Sequence, residues 1–118
     1  MYVKRKGETP SMERAPGVQL RVIGDGEKAM LLEVDIEPGA VVSMHEHPHQ
    51  QTGRLLSGRL KFEIGGEVYE LEPGDSWSIP GGVSHEATGI EKCLVVEMFA
   101  PPREDFRAGT VDSEFAGG

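Results

Sequence analysis

Turn formers recur so closely along this chain that no long helix survives between them. Gly24-Asp25-Gly26, Pro38-Gly39, Gly65-Gly66, Pro73-Gly74-Asp75 and Pro80-Gly81-Gly82 each interrupt the sequence after a short apolar run. Sixteen glycines and eight prolines in 118 residues put a structure breaker at roughly one position in five. Glycine supplies the backbone angles that tight turns need, and proline can neither continue a helix nor donate to a central strand. The runs in between alternate with a period of two. Met30, Leu32, Val34 and Ile36 are separated by Leu31, Glu33 and Asp35, and Leu60, Phe62 and Ile64 by Lys61 and Glu63. Gly65-Gly66 then reads as a hairpin turn, and Val68 to Leu71 returns. Such alternation marks half-buried strands. About nine short strands, the last running from Lys92 to Ala100, predict an all-β antiparallel barrel or jelly roll.

A length of 118 residues supports one modest core. Residues 1–17 are polar, carry Pro10 and Pro16, and read as an N-terminal arm; 18–103 read as the barrel and 104–118 as a tail, frayed from Arg107. With 37% hydrophobic and 27% charged residues, this is a globular composition rather than a disordered one. The net charge of −8 opposes nucleic-acid binding, and Lys4-Arg5-Lys6 reads as a solvated run in the arm. No apolar run approaches the ~20 residues of a membrane span, and no secretory signal is expected. The single cysteine, Cys93, excludes an internal disulfide and points to a reducing, cytoplasmic setting. It reads as a small packed hydrophobe, with no neighbour to activate it as a nucleophile.

Chemistry concentrates between Gly39 and Gly58, which hold three of the four histidines: His45, His47 and His49. On a strand, His45 and His47 leave the same face, and neutral imidazole is a common ligand for transition metals. Pro48 marks an edge or bulge there, so parity is not a guide beyond His47. Two glycine-bounded templates emerge. The first reads Gly39, five residues, His45, one residue, His47, three residues, Gln51, six residues, Gly58. The second reads Gly74, five residues, Pro80, one residue, Gly82, two residues, His85. In order and spacing the pair resembles the two motifs of the cupin superfamily, whose fold is a double-stranded β-helix, a jelly-roll barrel. The resemblance implies that His45, His47, Gln51 and His85 hold one divalent transition-metal ion, whether zinc, nickel, manganese or iron. Two positions depart from the family pattern: Gln51 stands where Glu is usual, and Gly89 where Asn is frequent. A neutral Gln leaves the ion's charge uncompensated, which strengthens it as a Lewis acid and as a trap for anions. His49 has no place in either motif and reads as a rim residue.

The segment Glu97 to Phe106, EMFAPPREDF, adds a finer resemblance. It is similar to the end of cupins from pectin and alginate breakdown, the KdgF type, which convert 4,5-unsaturated uronates from the cyclic to the linear keto form. Those cupins pair a three-His, one-Gln metal set with an Asp, a Phe and an Arg, at the spacing shown here by Glu97, Phe99 and Arg103. Glu in place of Asp moves the carboxylate by one methylene. The implied roles are Glu97 as proton mover, Phe99 as substrate contact and Arg103 as partner of the substrate's carboxylate. The expected function is therefore a redox-neutral enzyme acting on a small anionic, sugar-like substrate. An Fe(II)-dependent dioxygenase and a non-catalytic acid-binding module are the alternatives. A homodimer is expected from family habit and from the apolarity of both faces of Lys92 to Ala100.

Overall fold

A computed structural model describes residues 2–107. Eight strands occur among them: β1 Met12–Ala15, β2 Val18–Asp25, β3 Met30–Ile36, β4 Val41–His45, β5 Gln50–Ile64, β6 Glu67–Leu71, β7 Ser76–Ile79 and β8 His85–Ala100. One helical turn, α1 Glu104–Arg107, follows. All pairings are antiparallel, in the order β1-β2-β3-β8-β5-β6, with β4 added on β8 and β7 on β5.

The expectation of an all-β barrel holds, but the strands are fewer and two are long. Segments expected as separate strands fuse into β5, of 15 residues, and β8, of 16. These two run side by side, and each exchanges its second partner along its length. β5 pairs with β7 over Gln51–Arg54 and with β6 over Leu60–Ile64. β8 pairs with β4 near His85 and with β3 over Cys93–Phe99. A strand can change sheets only by bending, and the β5–β8 register slips repeatedly between Leu55 and Leu60. Gly58 sits at that corner with φ of 91°, where a Cβ would lie 2.1 Å from the Lys92 carbonyl oxygen. Only glycine fits there.

The period of two sorts side chains as expected. Met30, Leu32, Val34 and Ile36 point into the core with Leu20, Leu55, Leu60, Phe62, Ile79 and Val95. Full burial of each aliphatic side chain contributes about 1.5–3 kcal/mol before chain entropy is charged against it. Cys93 is buried among them as a packed hydrophobe. The Gly65-Gly66 hairpin forms with φ of 57° and 87°, both positive as a two-residue turn of the primed type requires.

Both ends depart from the sequence expectation. Met12–Ala15, inside the segment read as an arm, is a strand paired with β2. Phe106, inside the segment read as a tail, is buried, and Arg107 bonds Asp25 at 2.6 Å rather than fraying. The frayed tail expected beyond Arg107 lies outside the described residues. β4 also ends at His45, so His47 lies in the coil after it rather than on a shared strand face. Pro48, with no N–H to give a ladder, follows directly.

Candidate metal centre and the charged wall facing it

The β4–β8 pairing sets His45 directly opposite His85 and answers whether the distant histidine returns. His47 arrives from the coil. Ring centroids lie 4.3 Å apart for His45–His85, 5.0 Å for His47–His85 and 5.4 Å for His45–His47. One ligand atom from each of the three falls within 4.8 Å of the others, a grouping that can hold a metal ion.

Local hydrogen bonds decide which nitrogens face inward. His45 Nδ1 lies 2.8 Å from the Ser43 carbonyl, His85 Nδ1 2.8 Å from the Val83 carbonyl, and His47 Nδ1 3.0 Å from the His49 carbonyl. A carbonyl only accepts, so each Nδ1 carries the proton and each Nε2 presents a lone pair, the orientation metal-ligating histidines adopt. His85 Nε2 is buried and has no hydrogen-bond partner. Burial in this cluster, followed by smaller contributions from neighbouring groups, pulls the His45 pKa down to about 3 and that of His47 to about 4. His85 is lowered as well, first by burial. The three rings are neutral at ordinary pH and available to a cation.

Gln51, buried on β5, completes the ring of donors. Its Nε2 donates to Glu97 Oε2, which turns its Oε1 to within 3.0 Å of His47 Nε2. Two lone pairs then face each other at hydrogen-bond distance, an arrangement that a shared cation or proton relieves. An orphaned Nε2 on His85 and a donor set of three imidazoles and one amide oxygen fit a divalent first-row ion.

The opposite wall carries charge. Glu97 faces inward on β8, and its Oε2 also accepts a bond from Trp77 Nε1 at 3.2 Å. Burial raises the pKa of Glu97, against the bonds from Gln51 and Trp77 and the charges of Arg103 and Arg14. Trp77 reaches this carboxylate by lying over Gly53, where a Cβ would meet the indole at 2.7 Å. Phe99 packs edge-on to His47 with centroids 5.4 Å apart. The Arg103 side chain is 1% exposed; its guanidinium carbon lies 5.1 Å from the Phe99 ring centre and 4.1 Å from that of Phe106. Arg103 Nε and Nη2 both bond Asp105, at 3.2 and 2.9 Å. Arg14 from β1 lines the same cavity.

Of the residues singled out from sequence, His45, Gln51, His85, Glu97, Phe99 and Arg103 line one cavity, and His47 packs beside it against His85 and Phe99. His49 stands half-buried at its edge, 5.5 Å from His47 ring to ring. Glu46 and Pro48 face solvent, as expected of residues pointing away. Sequence reasoning did not find Arg14 or Trp77, and offered Asp105 only as a surface ion-pair partner of Arg103, where the structure buries the pair. An aromatic in the polar run REDFR, Phe106, was the one signal that the chain end folds back.

Known proteins place this geometry in context. The Cupin domain family, Cupin_2, matches residues 32–99. The pectin degradation protein KdgF of Dickeya dadantii (strain 3937) is 28% identical over 101 residues, spanning 84% of this chain and 92% of that one. The solved KdgF from Halomonas sp. superposes with a TM-score of 0.83 at 30% identity, covering 88% of this chain and 98% of that one. An RmlC-like cupin from Shewanella frigidimarina NCIMB 400 superposes with a TM-score of 0.85 at 24% identity, covering 90% and 96%, and shares the fold.

Proposed function

The chain belongs to the cupin family, and from that premise we propose that it is a metal-dependent, redox-neutral enzyme that opens and tautomerises a 4,5-unsaturated uronate. The observation that carries this reading is Glu97, whose carboxyl lines the same cavity as Arg103 and as His45 and His85 of the three-histidine cluster. In this reading His45, His47, Gln51 and His85 hold one divalent ion of zinc, nickel, manganese or iron. When bound, that ion supplies Lewis-acid polarisation of a carbonyl or ring oxygen with its double charge uncompensated by any ligand.

The remaining roles fall to side chains. Arg103 pairs the substrate carboxylate through the part of its guanidinium not engaged by Asp105, and Phe99 packs against the sugar ring. Glu97 moves the proton. Ring opening releases a proton from the anomeric hydroxyl, and conversion of the enol to the ketone takes one up at carbon. One group that both accepts and donates therefore closes the cycle, with no electron exchanged. A carboxyl whose pKa is raised by burial suits that double duty better than an ordinary glutamate. Gln51 and Trp77 both donate to Oε2, which leaves Oε1 to serve the substrate in this reading.

The test is incubation of the metal-loaded protein with unsaturated galacturonate monomer, following loss of the conjugated-acid absorbance. No rate above the uncatalysed one removes this reading. Glu97→Gln keeps an acceptor for Gln51 and Trp77, so it retains metal and ligand but loses turnover; equal turnover would leave only an acid-binding module. Oxygen uptake by the iron-loaded protein would instead favour the dioxygenase.

We also propose a homodimer. Leu31 and Met98, cross-strand partners on the outer face of β3 and β8, are 41% and 37% exposed and form an apolar strip suited to a second copy. A reducing compartment suits a chain whose one cysteine is buried.

A further inference from the structure

We infer that Trp77 is a positioning residue for the metal centre and acts at two removes. Its indole N–H holds the carboxylate of Glu97, and that carboxylate aims the amide of Gln51 at the histidines. The inference rests on the reading that the cluster binds a divalent ion, not on the identity of the substrate.

Three observations carry it. The first is register. Trp77 on β7 and Glu97 on β8 stand opposite the same residue of β5, Gly53, so the three form one rung across adjacent strands. A side chain at the middle position would separate the outer two. Gly53 has none, and a Cβ built there would lie 2.7 to 2.8 Å from three atoms of the indole. The indole fills that gap, and its Nε1 donates to Glu97 Oε2 at 3.2 Å.

The second is donor and acceptor matching. Gln51, one rung along β5, donates from Nε2 to the same oxygen. An indole N–H can only donate, so it marks Oε2 as an acceptor, and the amide meets that oxygen with its NH2 end. The other end, Oε1, is thereby left facing His47, 3.0 Å from its Nε2. The third is the surrounding wall. Leu32 across β3 and Val95 and Phe99 along β8 are buried and apolar, so among the neighbours of Glu97 across and along these strands the donors are Gln51 and Trp77. Packing alone does not call for a tryptophan. The indole stands edge-on to Phe62, centroids 5.2 Å apart, a contact that a phenyl ring also makes. What phenylalanine lacks is the N–H.

Chelator competition with zinc reads the coupling without any substrate, across wild type, Trp77→Phe, Glu97→Ala and the double variant. Trp77→Phe should weaken zinc binding about 5-fold, as loss of one hydrogen bond from the chain implies. In the Glu97→Ala background the same change should matter less than about 2-fold, because the link is already cut. Equal weakening in both backgrounds is what a packing residue gives, and it would overturn the inference. No weakening in either would do the same, as would absence of zinc binding by wild type. If Trp77→Phe does not fold, Gly53→Ala takes its place in the same cycle, since its Cβ displaces the indole while the tryptophan stays. Failure of wild type to process the unsaturated uronate, with the zinc cycle as expected, would sink the proposed reaction and leave Trp77 standing. Turnover together with additive effects on zinc would do the reverse.

Discussion

The two walls of the cavity are built by opposite means. The histidine wall is neutral, and its geometry is fixed locally: each imidazole proton goes to a main-chain carbonyl two residues away. The charged wall is assembled from afar, with Arg14 on the first strand, Glu97 on the last, and Arg103 and Asp105 beyond it. A neutral ligand needs only correct aim, which a few residues can supply. A buried charge needs a counter-charge, and the segment bearing it is set by the whole fold. Damage should therefore differ in kind: loss of metal with the fold kept on one side, loss of fold or of ligand charge preference on the other.

The most severe test is His45→Ala, which removes one of the proposed ligands outright. Metal affinity should fall by more than about 100-fold, beyond what loss of an orienting partner costs, with little change in melting temperature of the metal-free protein. Equal metal content in variant and wild type would break the assignment. On the other wall, Asp105→Ala leaves Arg103 buried between two phenyl rings without its fork partner. Urea denaturation should show a loss of about 3 kcal/mol with metal binding retained. Glu97→Ala probes the seam. Gln51 loses the acceptor that turns its amide, so metal affinity should drop about 10-fold by competition with a chelator.

Acid comes next. The histidines are held below their unfolded value near 6.5, His45 to about 3 and His47 to about 4. As pH falls below about 6.5 the unfolded chain gains protons that the fold refuses, so their contribution is full above 6.5 and lost toward 3. Glu97, raised by burial, acts in the opposite sense: its contribution is present below the ordinary glutamate pKa and lost as pH rises through its folded value. The metal-free protein should lose several degrees of melting temperature between pH 6.5 and 5, where surface carboxylates stay ionised. A flat profile would show that the histidine wall is hydrated rather than desolvated. His49→Ala should do least, under about 2-fold in metal affinity, because His47 bonds the main chain of residue 49 rather than its ring.

The same contrast explains what was legible in the chain. Met30 to Ile36 alternates because one face is core, and Gly65-Gly66 turns because both positions need positive φ. The histidines stood out through spacing from glycines that shape their own turns. Arg14 did not. In MERAP an arginine reads as solvated, and nothing local announces the bulge that turns it inward. Asp105 likewise sits in a charged run whose burial depends on Phe106 docking against Phe99, 5.9 Å between centroids. Even His47 reached the site by a route its parity did not indicate, through coil rather than strand. Pattern predicts what repeats, and tertiary packing overrules it where charge is buried.

Gly53 has one more consequence. It lies opposite Trp77 on one side and Glu97 on the other, so the missing side chain is the gap across which the indole reaches the carboxylate. Trp77 is the only tryptophan in the chain. Every photon of indole emission therefore originates beside the carboxyl proposed to move the proton, and the unlabelled protein carries an optical gauge of its own cavity.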